Sequence, residues 1–468
     1  MDSCRFLVLF LIVLCGGLNT SVSVAEESNP PNIIYILLDD AGYGDLSCYG
    51  QEHFQTPNMD SLAETGMKFL QHYSGSTVCA PTRCSLMTGK HTGHCVVRGN
   101  REVKPEGQAP MPADTVTIPR LLKTAGYATG MFGKWGLGAP GSTSDPTEHF
   151  DVFYGYNCQR EAHTYYPEHL WSNNEMVELD GKTYAHDLIV DQTMKFIRDH
   201  RDEPFFLYVP VTIPHAAMHV PAESHDPFRK IFPQFEDVEG KYAGTTITNP
   251  VAAFAGMMTR LDAQLGDMFE LVRELGLEEN TLIMLSSDNG PHKEGGHQPD
   301  FFNSNGPLKG HKRDLYEGGI RAPLLASWKG KIPAGKVSSL ISAHWDMLPT
   351  FCDLAGVEIP SDVDGISLKE ELMGNSDKQQ PHDYLYWEFS ERGRSQAARK
   401  GDWKAVRNNL KANPDAPIEL YNLSEDLGEE IDLSSQEPEV VKEMSAIMKE
   451  AHVPSATFPL FDSEASGK

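Results

Sequence analysis

Continuous apolar runs, rather than alternating ones, mark the strands of this chain. Asn32-Ile33-Ile34-Tyr35-Ile36-Leu37-Leu38 is apolar and rich in β-branched residues, and it stops at Asp39-Asp40. A strand without polar alternation is buried on both faces, as in a parallel sheet covered by helices. Residues 205–209 and 281–285 are two further runs of this kind. Between them, residues 252–275 carry helical spacing. Thr56-Pro57 opens a shorter helix through Leu62 and Ala63, with Thr as cap and Pro in the first turn. Strands alternating with helices predict an α/β fold, a large and mostly parallel sheet sandwiched by helices. Ligands of such sheets sit beyond the carboxyl ends of the strands. Asp39-Asp40 and Ser287-Asp288-Asn289-Gly290 each follow a strand directly, so both are expected on one rim.

The pattern changes after the polar stretch at residues 374–381. Residues 384–389, 403–406 and 418–421 predict short antiparallel strands, and residues 438–451 a closing helix. The expected organisation is a signal segment at 1–25, a large domain at 26–378 and a smaller C-terminal α+β subdomain with an antiparallel sheet at 379–468. The signal reading rests on Arg5, the apolar run 6–15 and the small-x-small site Ser23-Val24-Ala25. That run is too short to span a bilayer. The expectation is an exported protein, secreted or periplasmic, with no membrane partner.

The chain has 468 residues, 40% of them apolar, enough for a sizeable core. Its formal net charge of −26 argues against nucleic acid or an anionic membrane as the main partner. A local cluster of cations can still hold a small anion at short range. Export would leave six of the eight cysteines: Cys48, Cys79, Cys84, Cys95, Cys158 and Cys352. Their irregular spacing in an oxidising compartment predicts one or two incidental disulfides, without a fixed pairing.

The sharpest chemical signal is Val78-Cys79-Ala80-Pro81-Thr82-Arg83, continuing through Ser85-Leu86-Met87-Thr88-Gly89. Pro81 can start a helix, leaving Cys79 beside free N–H donors with Arg83 one turn on. A thiol so placed is expected to have a depressed pKa and to be reactive; the plain alternative is a buried structural Cys. Lys134 follows a predicted strand in a Gly-rich turn, and Lys312 lies in the basic cluster Lys309-Gly310-His311-Lys312-Arg313. His215 follows residues 211–214 at a strand-loop junction, where an imidazole titrating near neutrality can move a proton or simply pack. His91, His94, Arg98 and Asn100 either line a pocket or cap and solvate the helix before them. Tyr165, Tyr166 and Trp171, with Glu168 and His169, suit either a sugar face or a covering loop.

Cys79-x-Pro81-x-Arg83 followed by Leu86-Met87-Thr88-Gly89 resembles the signature of type I sulfatases, in the alkaline phosphatase superfamily. A second block, Gly126-Tyr127-Ala128-Thr129-Gly130-Met131-Phe132-Gly133-Lys134-Trp135, is similar to another family block. Asp39-Asp40, Pro214-His215, Asp288-Asn289-Gly290, and Lys312 ahead of Glu317-Gly318-Gly319-Ile320-Arg321 follow in family order. The resemblance covers residues 32–325 and extends into the C-terminal domain. It implies hydrolysis of a sulfate ester on a small molecule or glycan. A maturation enzyme converts the family's Cys, here Cys79, to formylglycine, whose hydrate is the nucleophile. Arg83 would orient it, Lys134 and Lys312 would clamp the sulfate, and His215 would protonate the leaving alcohol. Asp39, Asp40, Asp288, Asn289 and the modified Cys79 would hold one Ca2+, with Mg2+ second, since carboxylates and an amide carbonyl suit a hard cation.

One position departs from that family. Gly136 stands where a His directly after Gly-Lys-Trp bonds the hydrate and accepts a proton. His163, in the segment Gln159-Arg160-Glu161-Ala162-His163-Thr164-Tyr165-Tyr166, is the expected replacement, against the plain reading of a loop His. Two alternatives stay open. One is a phosphoester or phosphonate hydrolase, for which a second metal would need His292 or His297. The other is a sulfated-glycan binder without turnover, which Gly136 keeps in view.

Overall fold

The computed structural model describes residues 30–465, so the expected signal segment lies outside the described residues. The run at the start of the chain forms a central strand, Asn32–Leu38, with every residue buried. The sheet has ten strands. Their spatial order is Lys336–Ser338, Met67–Phe69, Leu324–Ser327, Thr281–Ser287, Asn32–Leu38, Phe205–Pro210, Ala128–Lys134, Val152–Tyr156, His169–Ser172 and Glu175–Glu178. The five strands from Thr281–Ser287 to Val152–Tyr156 are mutually parallel. Leu324–Ser327 on one side and His169–Ser172 on the other pair antiparallel to them. The sheet is therefore mixed, with a parallel centre.

Alternate residues of the central strand enter different cores. Ile34, Ile36 and Leu38 pack with the helix Pro250–Glu274. Ile33, Tyr35 and Leu37 pack with the helices Cys79–Thr88 and Met347–Ala355. Burial on both faces explains the apolar run and directs polar chemistry to the strand ends.

The smaller sheet orders Leu385–Phe389, Ser395–Lys400, Trp403–Arg407 and Glu419–Asn422, all antiparallel. The helix Pro438–Glu450 packs beside it. Ser395–Lys400 was not visible in the hydrophobic pattern because its buried positions include Gln396 and Arg399. Arg399 is paid in hydrogen bonds to Tyr73 and Gln71. Lys404 of the next strand forms a 2.9 Å ion pair with buried Glu317 of the large sheet's domain.

The expected disulfides are absent among the described residues, where all six cysteines are thiols. They are small, mostly buried side chains; Cys84, Cys95 and Cys352 share one core, where Cys84 and Cys95 neighbour one another near Thr88 without a disulfide between them. No helix of the described residues is long and apolar enough to cross a membrane.

The C-terminal segment is tied back through His452. Its Nδ1 lies 2.7 Å from Glu388 and its Nε2 2.8 Å from Glu464, while Arg98 holds the other Glu388 oxygen at 2.7 Å. Burial opposes protonation of His452, but the two carboxylates outweigh it and raise its pKa above the usual value. A raised folded pKa contributes stability that is fully present below the unfolded value, about 6.5, and is lost as pH rises through the folded one. Thermal unfolding of wild type and His452→Gln should therefore differ most below about pH 6. The gap should narrow steadily on the alkaline side.

Candidate active site

The carboxyl ends of the parallel strands bring the two acidic pairs together. The Asp288 N–H bonds the Leu38 carbonyl at 3.0 Å, and the Asp40 N–H bonds Asp288 Oδ1 at 3.0 Å. Asp40 has φ of 69°, a left-handed turn that redirects the chain at the strand end. Asn289 Nδ2 donates to Asp40 Oδ1 and to the Gly290 carbonyl, both at 2.8 Å. Its Oδ1 is buried and has no partner. Asp39, Asp40, Asp288 and Asn289 are all fully buried.

Cys79 opens the helix Cys79–Thr88, which is buried along its whole length. Asn100 Oδ1 accepts the Ala80 N–H at 3.0 Å and satisfies one free donor there. Cys79 Sγ donates to Asp39 Oδ1 at 3.3 Å, and Lys134 Nζ lies 3.4 Å from the sulfur. The expected depressed thiol pKa is overturned. Burial first, and then the Asp39 and Asp288 charges, push it well above the usual value, more than Lys134 and Lys312 can offset. The helix end was visible in the sequence, but the facing carboxylates were not. The unmodified thiol is thus a hydrogen-bond donor rather than a thiolate nucleophile.

Three cations balance the acidic rim. Lys134 Nζ is 2.6 Å from Asp39 Oδ2, and Lys312 Nζ is 2.7 Å from Asp40 Oδ2. Arg83 spans the site, with Nη1 on the Lys134 carbonyl at 2.7 Å and Nη2 on Asp288 at 3.0 Å. Burial would raise the Asp39 pKa, but the Lys134 and Arg83 charges hold it well below the carboxylate range. Lys312 likewise overrides burial at Asp40. Asp288 goes the other way, to about 7, through burial and the adjacent Asp39 charge. A divalent cation placed among these groups would relieve that crowding.

His215 Nδ1 donates to the Ala216 carbonyl, leaving Nε2 to accept from Lys312 Nζ at 3.0 Å. Burial, then His163 and Lys312, lower its pKa well below the ordinary value, so its resting form is neutral. Tyr165 is turned inward and its hydroxyl bonds the Thr212 and His215 carbonyls at 2.6 and 2.8 Å. It braces this loop instead of offering a face to a sugar. Trp171 and His169 are tied to Glu106.

His163 lies in the site, stacked on His215 with ring centroids 3.9 Å apart and planes 4° from parallel. Its Nε2 is enclosed and without a partner. Burial and Lys134 keep it neutral. The space beside Gly136 belongs instead to Gln159: a Cβ on Gly136 would meet Gln159 Nε2 at 2.9 Å and Cγ at 3.1 Å. Gly136 also has φ of 76°. Gly136→Ala should cost about 1–2 kcal/mol from the left-handed backbone alone. The crowding part should be recovered in Gly136→Ala/Gln159→Ala, as read by denaturant unfolding.

Arg98 bonds the Cys95 carbonyl and Glu388, and His94 bonds Asp364, so these residues tie the segment after the helix Cys79–Thr88 to its surroundings. Three residues not singled out from the sequence also reach the site: Tyr242, Glu294 and Arg313. Tyr242 ends the strand Glu239–Tyr242, Glu294 and Arg313 lie on loops, and no linear pattern connects the three.

A family model described as sulfatase matches residues 31–357. A second, described as N-sulphoglucosamine sulphohydrolase, C-terminal, matches residues 310–453. The chain is 30% identical to arylsulfatase A of Homo sapiens, over 93% of this chain and 89% of that protein. It is 28% identical to N-acetylgalactosamine-6-O-sulfatase of Bacteroides thetaiotaomicron, over 94% and 96%. Among solved structures it is similar to Ps i-CgsB in complex with k-i-k-neocarrahexaose, with a TM-score of 0.76 and 27% identity, covering 90% of this chain and 92% of that one.

Proposed function

The chain belongs to the sulfatase family and is a sulfuric ester hydrolase, and we propose that it releases sulfate from a sulfated carbohydrate using Cys79 matured to formylglycine and one bound Ca2+. The observation that carries this reading is the buried constellation around Cys79. Three carboxylates are matched there by Lys134, Lys312 and Arg83, and an amide oxygen is left over at Asn289.

Asp39, Asp40, Asp288 and Asn289 would hold the ion, with the matured residue 79 completing the set and Mg2+ as the second candidate. Their oxygens form a hard donor set, and the unpartnered Asn289 Oδ1 is the kind of atom such a site leaves open. The ion, when bound, supplies positive charge beside the sulfate oxygens. It would also turn a balanced cluster into a cationic one inside an acidic protein, which suits an anionic ester. Formylglycine supplies a hydrated aldehyde whose hydroxyl can attack sulfur, and its formation requires a maturation enzyme as partner.

The remaining work falls to residues of the chain. Lys134 and Lys312 bind sulfate oxygens as point charges. Arg83 fixes Asp288 and the Lys134 backbone and so keeps the site in register. Lys312 and His215 form a proton-carrying pair facing the leaving oxygen, with the resting proton on Lys312. His163, neutral and with a free Nε2, is the base we assign to the proton released at residue 79. The expected leader at residues 1–25 makes the protein secreted or periplasmic.

A glycan substrate is supported by the relatives, whose names carry N-acetylgalactosamine-6-sulfate hydrolysis and a bound neocarrahexaose. For a two-metal phosphoesterase the second ion would need His292 or His297. His292 is engaged, its Nε2 bonding the Pro214 carbonyl at 3.2 Å and its Nδ1 accepting the Glu294 N–H at 3.1 Å, whereas both His297 nitrogens are without partners. Initial rates on the sulfate and phosphate esters of one alcohol test the reading. The sulfate ester should be preferred by about 100-fold or more, a difference of roughly 2.7 kcal/mol in transition-state binding. Preference for the phosphate would overturn it, and no turnover of either would favour a glycan-binding role.

A further inference from the structure

We propose that Glu294, Arg313 and Tyr242 form the subsite for the leaving alcohol, and that they select a sugar bearing a free hydroxyl on a ring carbon near the sulfated one. This rests on the sulfatase reading above and adds to it the recognition of the alcohol.

Placement comes first. The leaving oxygen must meet the Lys312–His215 pair, so the alcohol's carbon skeleton lies on the outer side of that pair. The groups bordering it are Glu294, whose Oε2 is 3.6 Å from Lys312 Nζ, and Tyr242. The Tyr242 ring stands edge-on to His215 and His163, at 5.6 and 5.3 Å between centroids. Arg313 Nη2 joins Glu294 Oε1 at 2.5 Å. The Glu294 and Arg313 side chains are 23% and 22% exposed, so the pair borders the outside while Oε2 itself is enclosed and faces Lys312.

The chemistry of the three groups is specific. Glu294 Oε2 is buried and has no hydrogen-bond partner, so an acceptor is left open. Arg313 supplies donors beside it. Together they are neutral, and the carboxylate repels a second sulfate or a uronate. A hydroxyl fits: it donates to Glu294 Oε2 while accepting from the guanidinium, or two neighbouring hydroxyls divide those roles. Tyr242 provides an apolar wall for a ring's C–H face.

These groups are also held in place. Arg313 has φ of 81°, and its N–H bonds Thr77 Oγ1 at 2.7 Å, two residues before Cys79. Tyr242 ends the strand Glu239–Tyr242 of a hairpin that closes on the loop after the strand Thr281–Ser287. A Cβ on Gly240 would lie 2.0 Å from the Gly295 carbonyl oxygen, so only glycine permits that approach. Rigid support of this kind is what a selective site requires.

The test compares kcat/KM for 4-nitrophenyl sulfate, for methyl galactoside and methyl N-acetylglucosaminide monosulfates, and for deoxy analogues of the best sugar. Wild type should lose about 10- to 100-fold when the hydroxyl that reaches Glu294 is removed, the worth of a hydrogen bond to a charged group. In Glu294→Gln that discrimination should shrink to about 2- to 10-fold, the worth of a neutral hydrogen bond, because the charged acceptor is gone. Tyr242→Ala, a second variant that leaves the loop charges intact, should raise KM for the sugar more than for the aryl ester. The subsite is overturned if wild type treats parent and deoxy sugars alike, if Glu294→Gln keeps the full discrimination, or if aryl sulfate is hydrolysed and no sugar sulfate is. If no sulfate ester is hydrolysed at all, the sulfatase mechanism fails and the subsite with it.

Discussion

Replacing Cys79 with alanine abolishes sulfate-ester hydrolysis, lowering kcat by about ten-thousand-fold or more, the scale seen when a covalent nucleophile is removed. The fold survives the change. Cys79 occupies the first position of its helix, where alanine is well tolerated. The lost sulfur makes two contacts, to Asp39 and Lys134, and those two groups keep their own ion pair at 2.6 Å. The stability change should stay within about 1 kcal/mol, near the centre of the range for single substitutions. Sulfate release and thermal unfolding, measured on the same preparation, separate the two effects. A Cys79→Ala protein that unfolds like wild type and still turns over substrate removes this residue from the chemistry.

Lys134→Met should fail in both respects. Lys134 and Asp39 are each fully buried, and the ammonium also feels the Cys79 sulfur and Asp288. Deleting one partner leaves a buried carboxylate with less compensation, which costs about 3–5 kcal/mol. Arg83 Nη2, 3.7 Å from the same Asp39 oxygen, compensates only in part. A divalent cation in the acidic rim would recover some of the loss, so added Ca2+ should raise the melting temperature of the variant. Activity should not return, since one clamp on the sulfate oxygens is missing; a fall in kcat/KM of about a hundredfold or more is expected. Unchanged stability in Lys134→Met would mean that the buried charge balance described here is wrong.

The parts of this molecule that sequence made legible are those in which local pattern and global role coincide. The run Asn32–Leu38 announces burial on both faces because a central parallel strand has no solvent side. The acidic pairs that end it and its neighbour Thr281–Ser287 meet because parallel strands end on one rim. Where the outcome depended on residues far apart in the chain, local reading failed. The helix end at Cys79 suggests an acidic thiol, but Asp39, from another strand, reverses the sign. Ser395–Lys400 reads as polar until Gln71 and Tyr73 are seen beside Arg399. Gly136 looks like a missing group, whereas in the fold its space is filled by Gln159. Tyr242, Glu294 and Arg313 carry no shared motif and meet only through loops that pack around Lys312.

The most direct test is the mass and carbonyl reactivity of the tryptic peptide containing Cys79, from protein made alongside a formylglycine-generating enzyme. The prediction is an aldehyde that a hydrazide probe captures, with sulfate-ester turnover rising in proportion to the fraction captured. An intact thiol at residue 79 in protein that hydrolyses sulfate esters at full rate would contradict the account.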